Sequence, residues 1–350
     1  MSSLIISASQ LHLLERLCNA IAVSGEEGEV RKIVLEQVSR HADDVCVDGL
    51  GNVLVKKRGS GRNRLKVMLA AHMDEVGFMV VSDEGEGLFR FETVGALDVS
   101  QMAGKTVCIG RERIPAVVGV KPIHLVKVEE RRQKFTLDSL RLDAGGKRGA
   151  QVGDRVGFAT RFRRAGNSIF SKALDNRLGV ATLIELLKHA PPNIDLLLAF
   201  TVQEEVGLRG AKVAARAFAP DLAIAVDSTP ARDLPAADGR ENTVYNTRLG
   251  LGPAIYLADS SALHNLRLVK HFVKVGEAEG IPYQIRQPGG GGTDAGAMHQ
   301  QLEGIPALSI SVPGRYPHTP VGVCRVDDWQ NTLRLLHAGL SSLKPAVLKR

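Results

Sequence analysis

Two histidines and several carboxylates follow apolar, strand-like runs of this chain. The set comprises His72 and Asp74 after VMLAA, Asp175 at the start of a helical segment, Glu204 and Glu205 after LLLAFTVQ, Asp227 after LAIAV, and His318 in a late loop. Each member has an ordinary reading by itself, because a lone aspartate at a strand end usually caps a helix and a His-x-Asp pair is usually a local hydrogen bond. The ends of strands in an α/β sheet converge on one edge, so the whole set predicts one site.

These residue types are the ones that a pair of divalent cations requires. Two cations about 3.5–4 Å apart need a bridging carboxylate, at least one further ligand each and an open position for water. The assignment is Asp175 as the bridge, His72 and Asp227 on one ion, and Glu205 and His318 on the other. Zinc or cobalt is the expected metal, and manganese accepts the same ligands.

The two remaining carboxylates have predicted roles in proton transfer and orientation. Two metals lower the pKa of a shared water towards about 7, and Glu204 is then the general base that takes its proton and returns it to a leaving amine. Asp74 is expected to accept the other imidazole N–H of His72 and so fix its tautomer. The set predicts metal-assisted hydrolysis.

The patterns around these residues predict an α/β layered fold with a mixed central sheet flanked by helices. Helical spacing covers 9–22, after Ser9 as the N-cap, and a second helix runs from Ser24 to about Arg40. Further helices are predicted at 175–189, 209–217, 261–279, 293–303 and 326–343, and strands at 44–47, 53–56, 66–71, 194–202, 221–227, 281–286 and 306–312. From 77 to 162 short Val- and Phe-rich strands predict a small β domain inserted into the α/β fold.

Composition narrows the function classes. Apolar residues make up 44% of the 350 residues and charged residues 24%, with no apolar run long enough for a membrane helix. The four cysteines form no C-x-x-C pair and no secretory signal opens the chain, which predicts a cytoplasmic protein. The net charge of +7 is spread along the chain without aromatic-interleaved basic motifs, so we expect no nucleic-acid partner.

Six motifs resemble metallopeptidase family forty-two, the tetrahedral dinuclear aminopeptidase group, which includes glutamyl aminopeptidase-like members and some once labelled endoglucanases. In chain order they are AHMDEVGF (71–78), SKALDNRLGV (171–180), TVQEEVGLRGA (201–211), AVDSTPA (225–231), PGGGGTDAGAMH (288–299) and SVPGRYPHTP (311–320). The resemblance implies a metal-dependent aminopeptidase that removes N-terminal residues from peptides. It also implies that the five ligands, Glu204 and Asp74 hold the roles given above.

The resemblance implies a domain plan as well. A catalytic α/β domain would comprise 1–76 and 163–350, and 77–162 would form a β-barrel-like dimerisation domain. Members of the family form dimers and hollow dodecamers, so we expect self-association into dimers and a dodecamer. The glycine run before Thr293 reads by itself as a loop that caps a helix, but the matching family segment borders the substrate pocket, which makes Gly291, Gly292 and Thr293 candidate substrate-binding residues.

Two alternative functions stay open at the level of sequence, and a third is disfavoured. A deacylase or carboxypeptidase would use the same metals and Glu204, and a non-catalytic scaffold would keep the fold without the activity. An endoglucanase would need paired carboxylates on a sugar cleft, which fits poorly with two histidines in a metal-like context. The preferred first residue, whether acidic, basic or apolar, is not encoded in any motif.

Overall fold

The computed structural model describes residues 4–126, 135–146, 149–239 and 246–349. They form a large mixed sheet with helices on both faces and a closed six-stranded antiparallel barrel. The predicted fold class is confirmed. In this described part of the chain, no helix combines the length and the apolarity that a bilayer crossing demands.

The sheet is built on four parallel neighbours near its centre. In order of pairing its main strands are β1 (Asp44–Val47), β2 (Val53–Lys57), β12 (Ile194–Thr201), β3 (Leu65–His72), β13 (Leu222–Pro230), β16 (Ala307–Arg315), β17 (Gly322–Arg325), β11 (Ser168–Ser171) and β10 (Arg163–Ala165). Strands β12, β3, β13 and β16 run parallel, and the other strands in this order pair antiparallel with their neighbours. At the side of β16, β14 (Ala254–Tyr256) pairs with it and with β15 (Gln284–Arg286).

Alternation along the central strands explains why both faces carry helices. In β3, Val67, Leu69 and Ala71 belong to one apolar core, while Met68 and Ala70 belong to the other. The first core is covered by α1 (Ala8–Asn19), α2 (Gly28–Val38), α3 (Leu174–Lys188), α5 (Leu266–Glu279) and α7 (Val326–Ser341), and the second by α4 (Arg209–Phe218) and α6 (Asp294–Met298).

Several of the predicted helix boundaries are wrong. Helix α1 ends at Asn19 rather than at 22, and α2 begins at Gly28 rather than at Ser24. Helix α1 is capped by Ser7 rather than Ser9, because the Ser7 hydroxyl accepts from the backbone N–H of Ser9 and Gln10 reaches back to Ser7. Helix α5 begins at Leu266, since the side chain of Asn265 caps it. Helix α6 has five residues instead of eleven, because the chain turns at Leu302 and Gly304, where φ is positive.

The barrel closes in the order β4 (Gly77–Gly85), β5 (Leu88–Val94), β8 (Arg141–Asp143), β7 (Ile114–Gly119), β6 (Thr106–Ile109) and β9 (Arg155–Phe158). Its core is a cluster of buried side chains in which the ring of Phe78 meets Phe91 and Phe158 edge-on, at centroid distances of 5.1 and 5.3 Å. These strands lie within the predicted insert 77–162, of which 127–134 and 147–148 lie outside the described residues. The division into two domains stays a prediction.

Helices α5 and α7 approach closely at Gly339. A Cβ at this position would lie 2.1 Å from a ring carbon of Phe272, which is fully buried. Gly339→Ala should therefore lower the free energy of unfolding by about 1–3 kcal/mol, because the buried ring has no space into which to move. Urea unfolding followed by circular dichroism measures the change. Gly28→Ala is the matched control, because a Cβ there meets nothing within 4 Å, and an equal loss in both variants would contradict the packing argument.

Candidate metal centre

The carboxyl ends of the four parallel strands carry the predicted site residues to one edge of the sheet. His72 ends β3 opposite Thr201, Glu204 and Glu205 follow β12, and Asp227 lies within β13. His318 follows β16, and Asp175 is the second residue of α3. The sequence-predicted ligands therefore lie together rather than scattered along the chain.

Asp175 faces both imidazoles with different oxygens. Its Oδ1 lies 3.2 Å from Nε2 of His72, and its Oδ2 lies 3.6 Å from Nε2 of His318. One carboxylate thus stands between two imidazoles, which is the arrangement that a bridging ligand needs.

The other candidate ligands divide between the two ends of Asp175. Asp227 Oδ1 is 3.5 Å from Nε2 of His72, whereas Glu205 Oε2 is 3.2 Å from Nε2 of His318. Each group offers ligand atoms within 4.8 Å of one another: His72, Asp175 and Asp227 in one, and Asp175, Glu205 and His318 in the other. A third group joins His72 to Glu204 and Glu205.

Backbone carbonyls fix the direction of both imidazoles. Nδ1 of His72 lies 3.2 Å from the carbonyl oxygen of Asp74, and Nδ1 of His318 lies 3.1 Å from that of Ala96. A carbonyl oxygen only accepts, so Nδ1 is the donor in each ring. In the neutral ring Nε2 then carries the lone pair, and in both residues it faces Asp175.

The carboxylate of Asp74 contacts the glutamate pair more closely than the histidine. It accepts from the backbone N–H groups of Glu204 and Glu205 at 3.0 and 3.1 Å and from the Ser24 hydroxyl at 2.7 Å. Its distance to Nδ1 of His72 is 3.5 Å, so the hydrogen bond of that imidazole goes to the main chain of Asp74. Asp74 therefore holds the turn that presents both glutamates.

Asn176 positions the predicted bridge against β13. Its amide donates to the carbonyl oxygen of Val226 at 2.8 Å and accepts from the N–H of Gly179 at 3.0 Å. A Cβ on Gly179 would lie 2.3 Å from the Asn176 side chain and 2.5 Å from the Val226 oxygen, so only glycine permits this approach. The start of α3 is thereby fixed beside Asp227.

A buried ion cluster supports the segment after His72. Lys172 donates to both oxygens of Glu75 at 2.8 Å, and Arg177 donates to Glu75 at 3.1 Å and to the carbonyl oxygens of Met73 and Asp74. The three charged side chains are at most 2% exposed. Sequence reasoning missed these supports and Asn176, although all four lie inside the quoted motifs.

Burial and mutual repulsion shift three of the acids, Glu204, Glu205 and Asp227, towards their protonated forms. At Asp175, by contrast, burial is outweighed by the two imidazoles, which lower the pKa. Burial raises the pKa of Glu205 to about 8 and the pKa of Glu204 well above its ordinary value. Burial also raises the pKa of Asp227, and Asp175 adds to that effect. Carboxylates this close cannot all stay charged without a compensating positive charge.

The pKa values of the two imidazoles are raised as well, but by a different cause. Burial lowers the pKa of His72, but the carboxylates around it, Glu204 first among them, outweigh burial and hold that pKa well above its usual value. For His318, burial likewise opposes the shift, and Asp175 and Glu205 raise the pKa to about 9. The acids and the imidazoles are thus both shifted in the direction expected where clustered carboxylates need positive charge.

An unpaired carboxylate oxygen is a second observation that fits a pair of divalent metals at this site. Oε1 of Glu205 is buried, and no donor among the described residues reaches it. An orphaned carboxylate oxygen at this depth costs free energy unless a cation binds it. Imidazole nitrogen and carboxylate oxygen donors suit zinc, cobalt and manganese alike.

A cavity of about 670 Å³ opens onto the centre and is lined by its ligands together with Glu204. Gly291 and Gly292 line this cavity. Thr293 is buried behind it, where its hydroxyl lies 2.7 Å from that of Ser309 and 3.2 Å from a carboxylate oxygen of Asp259. Of the three candidate substrate-binding residues, the two glycines thus border the open space.

The chain matches the sequence profile of M42 glutamyl aminopeptidases over residues 51–335. A glutamyl aminopeptidase of Lactococcus lactis is 32% identical over 347 residues, which cover 94% of this chain and 96% of the relative. A lysyl aminopeptidase of Pyrococcus furiosus is also 32% identical over 347 residues, which cover 95% of this chain and 97% of the relative.

Solved structures agree with these relatives. An aminopeptidase from the archaeon Desulfurococcus kamchatkensis matches with a TM-score of 0.91 at 33% identity, covering 97% of each chain. The TET1 peptidase of Pyrococcus horikoshii, which can assemble into a tetrahedron or a large octahedral shell, matches with a TM-score of 0.84 at 30% identity, covering 95% of this chain and all of that one.

Loss of the His318 imidazole should weaken one metal position and spare the other. His318→Ala would leave that ion with Asp175 and Glu205, so we expect the purified variant to retain about one ion and the parent protein to retain two. Metal analysis after dialysis gives the stoichiometry. His41→Ala, at an exposed position, is the control, and full retention of both ions by His318→Ala would show that His318 is not a ligand.

Proposed function

This chain belongs to the M42 peptidase family of metal-dependent peptide hydrolases, as its motifs predict, and we propose that it is a dinuclear aminopeptidase. In this proposal His72 and Asp227 hold one divalent ion, Glu205 and His318 hold the second, and Asp175 is shared. Peptides with a free N-terminus are the substrates.

The observation that carries the proposal is the double-sided position of Asp175. Its two oxygens face two imidazoles at 3.2 and 3.6 Å, and each imidazole is held by a main-chain carbonyl on its far side. A carboxylate that served only to orient one histidine would not need its second oxygen at the other. The arrangement is therefore better explained by two cations than by one.

Bound cations would supply an acidified water and polarisation of the scissile carbonyl. Glu204 would take the proton from the attacking water and deliver it to the leaving amine. Its side chain lines the cavity and is 10% exposed, and its Oε2 lies 4.0 Å from Nε2 of His72. The hydrogen bond from its N–H to Asp74 fixes the backbone that carries this carboxylate.

Asp74 is proposed as a positioning residue for both sides of the centre. Burial raises its pKa, but the neighbouring His72 imidazole, and then the hydrogen bonds from Ser24 and from the Glu204 N–H, lower it below the ordinary value. A charged carboxylate is a stronger acceptor than a neutral one, so it holds the turn at Glu204 and Glu205 firmly. Gly291 and Gly292 are proposed to border the bound peptide.

We also propose that the chain self-associates, with 77–162 as the dimerisation domain and 1–76 together with 163–350 as the catalytic domain. The assembly of the Pyrococcus horikoshii relative into a tetrahedron or a large octahedral shell supports self-association, and we expect dimers and a dodecamer here. A cytoplasmic location is proposed as well, and it accords with the four free cysteines.

Glu204→Gln should keep both metals and lose most of the turnover. The amide cannot accept a proton, and general-base catalysis of this kind contributes about 100- to 10,000-fold to the rate. Steady-state kinetics on leucine p-nitroanilide, combined with metal analysis, tests both halves. If the variant bound both metals and kept a near-normal kcat, Glu204 would not be the general base. Glu279→Gln, at an exposed position of α5, is the control.

A panel of free and N-acetylated aminoacyl p-nitroanilides distinguishes an aminopeptidase from a deacylase. The free compounds should be cleaved, and acetylation should abolish cleavage, because it removes the charge of the α-amine. Removal of the metals by a chelator should stop the reaction, and their return should restore it. Cleavage of the blocked compounds alone would favour the deacylase, and inactivity together with an absence of bound metal would favour a scaffold.

A further inference from the structure

Arg286 is a buried cation in the wall of the cavity beside the metal centre. The residue is 5% exposed, and its guanidinium lies 4.3 Å from the centroid of the Tyr256 ring. It donates to the hydroxyl of Thr229 at 3.1 Å and to the carbonyl oxygens of Ala258 and Gly290 at 3.2 and 2.9 Å. All three acceptors are neutral.

Within the described part of the chain, Arg286 therefore has no counterion of its own. Among the described residues, no carboxylate oxygen lies within 4.0 Å of its guanidinium nitrogens. Three of the five N–H groups of a guanidinium are used, so two remain for a ligand. A buried charge without an opposite charge is costly, and an anion that enters the cavity would relieve that cost.

Outside the metal centre, the described residues of the cavity wall add positive charge and no negative charge. Apart from the metal-centre residues, the charged side chains among its described lining residues are Arg286 and Arg232. The neutral part of the wall includes Ser228, Tyr256 and Ser260. Cavity walls of this kind favour a negatively charged group over a neutral or positive one.

The position of Arg286 suits the first side chain of a substrate. Its partner Thr229 lies two residues after Asp227 in β13, so both side chains project from the same face of the strand. Two residues of a strand span about 7 Å, which is comparable to the reach of a glutamate side chain from a carbonyl held at the metals. Gly290, which lines the cavity together with Gly291 and Gly292, accepts a hydrogen bond directly from the guanidinium.

We propose that this cavity selects peptides whose first residue is acidic, with Arg286 as the main specificity residue and Arg232 as a second positive charge. The inference rests on the proposed aminopeptidase function and names its substrate class. Overall similarity does not decide the matter, because the glutamyl and lysyl relatives are equally identical to this chain.

The test compares glutamate and glutamine p-nitroanilides, which differ in charge but hardly in size. In the parent protein kcat/KM should be about 10- to 100-fold higher for the glutamate compound, the range that a charge-assisted hydrogen bond supplies. High salt should reduce this ratio, and the lysine compound should be poorer than glutamine. These substrates have no C-terminal carboxylate, so the ratio reports on the side chain alone.

Variants then locate the charge. Arg286→Gln should bring the ratio close to one, Arg286→Lys should keep part of it, and Arg232→Gln should lower it by a smaller factor. Lys270→Gln removes an exposed charge on α5 and is the control, in which the ratio should persist. If Arg286→Gln does not fold, the ratio of kcat/KM for the glutamate and glutamine compounds in the parent protein and in Arg232→Gln still tests the proposed acidic preference.

The outcomes separate the two levels of the argument. Cleavage of neutral compounds with a glutamate-to-glutamine ratio near one would overturn the acidic preference and leave the aminopeptidase intact. A ratio near one accompanied by a strong preference for dipeptides over dipeptide amides would assign Arg286 to the C-terminal carboxylate instead, and would also overturn the proposal. Failure to cleave any unblocked compound would overturn the aminopeptidase itself.

Discussion

Repulsion among buried carboxylates is the constraint around which the rest of the structure is arranged. Asp175, Glu204, Glu205 and Asp227 lie within a few ångströms of two imidazoles, and burial raises the pKa of three of the four acids. Such a group is unstable without positive charge, so the fold has to hold it by contacts made elsewhere. The parallel strands supply that rigidity, because their hydrogen bonds fix the backbone on which the ligands stand.

The supports behind the ligands are chiefly main-chain groups and buried ion pairs. Carbonyl oxygens orient both histidines, Asp74 holds the turn at the glutamates, and Arg177 with Glu75 fixes the segment after His72. Positive φ angles at non-glycine residues also occur in the site. They are found at the candidate ligand His318 and at two residues close to other site residues, Ala173 and Gln203. Such backbone costs about 1–3 kcal/mol per residue and persists where surrounding contacts enforce it.

Local patterns were sufficient to predict the fold class and to choose residues that the structure brings together, because strand ends converge by the geometry of parallel sheets. Their precise roles stay predictions. Sequence could not show that Asn176 bonds to Val226 or that Arg286 bonds to Gly290, since both contacts join segments that are distant in the chain. The length of α6 was mispredicted for a related reason, because no local signal marks the left-handed turn at Leu302.

The hydrogen bond between His318 and the carbonyl oxygen of Ala96 joins the metal centre to the loop that follows β5 of the barrel. A Cβ on the neighbouring Gly95 would stand 3.4 Å from that of Glu205, so this loop touches two of the candidate ligands. The barrel is thus not an exchangeable accessory. A chimera that carries a foreign barrel on this sheet would have to keep the backbone path through residues 95 and 96. Without that path, the His318 imidazole would lose the carbonyl oxygen that orients it.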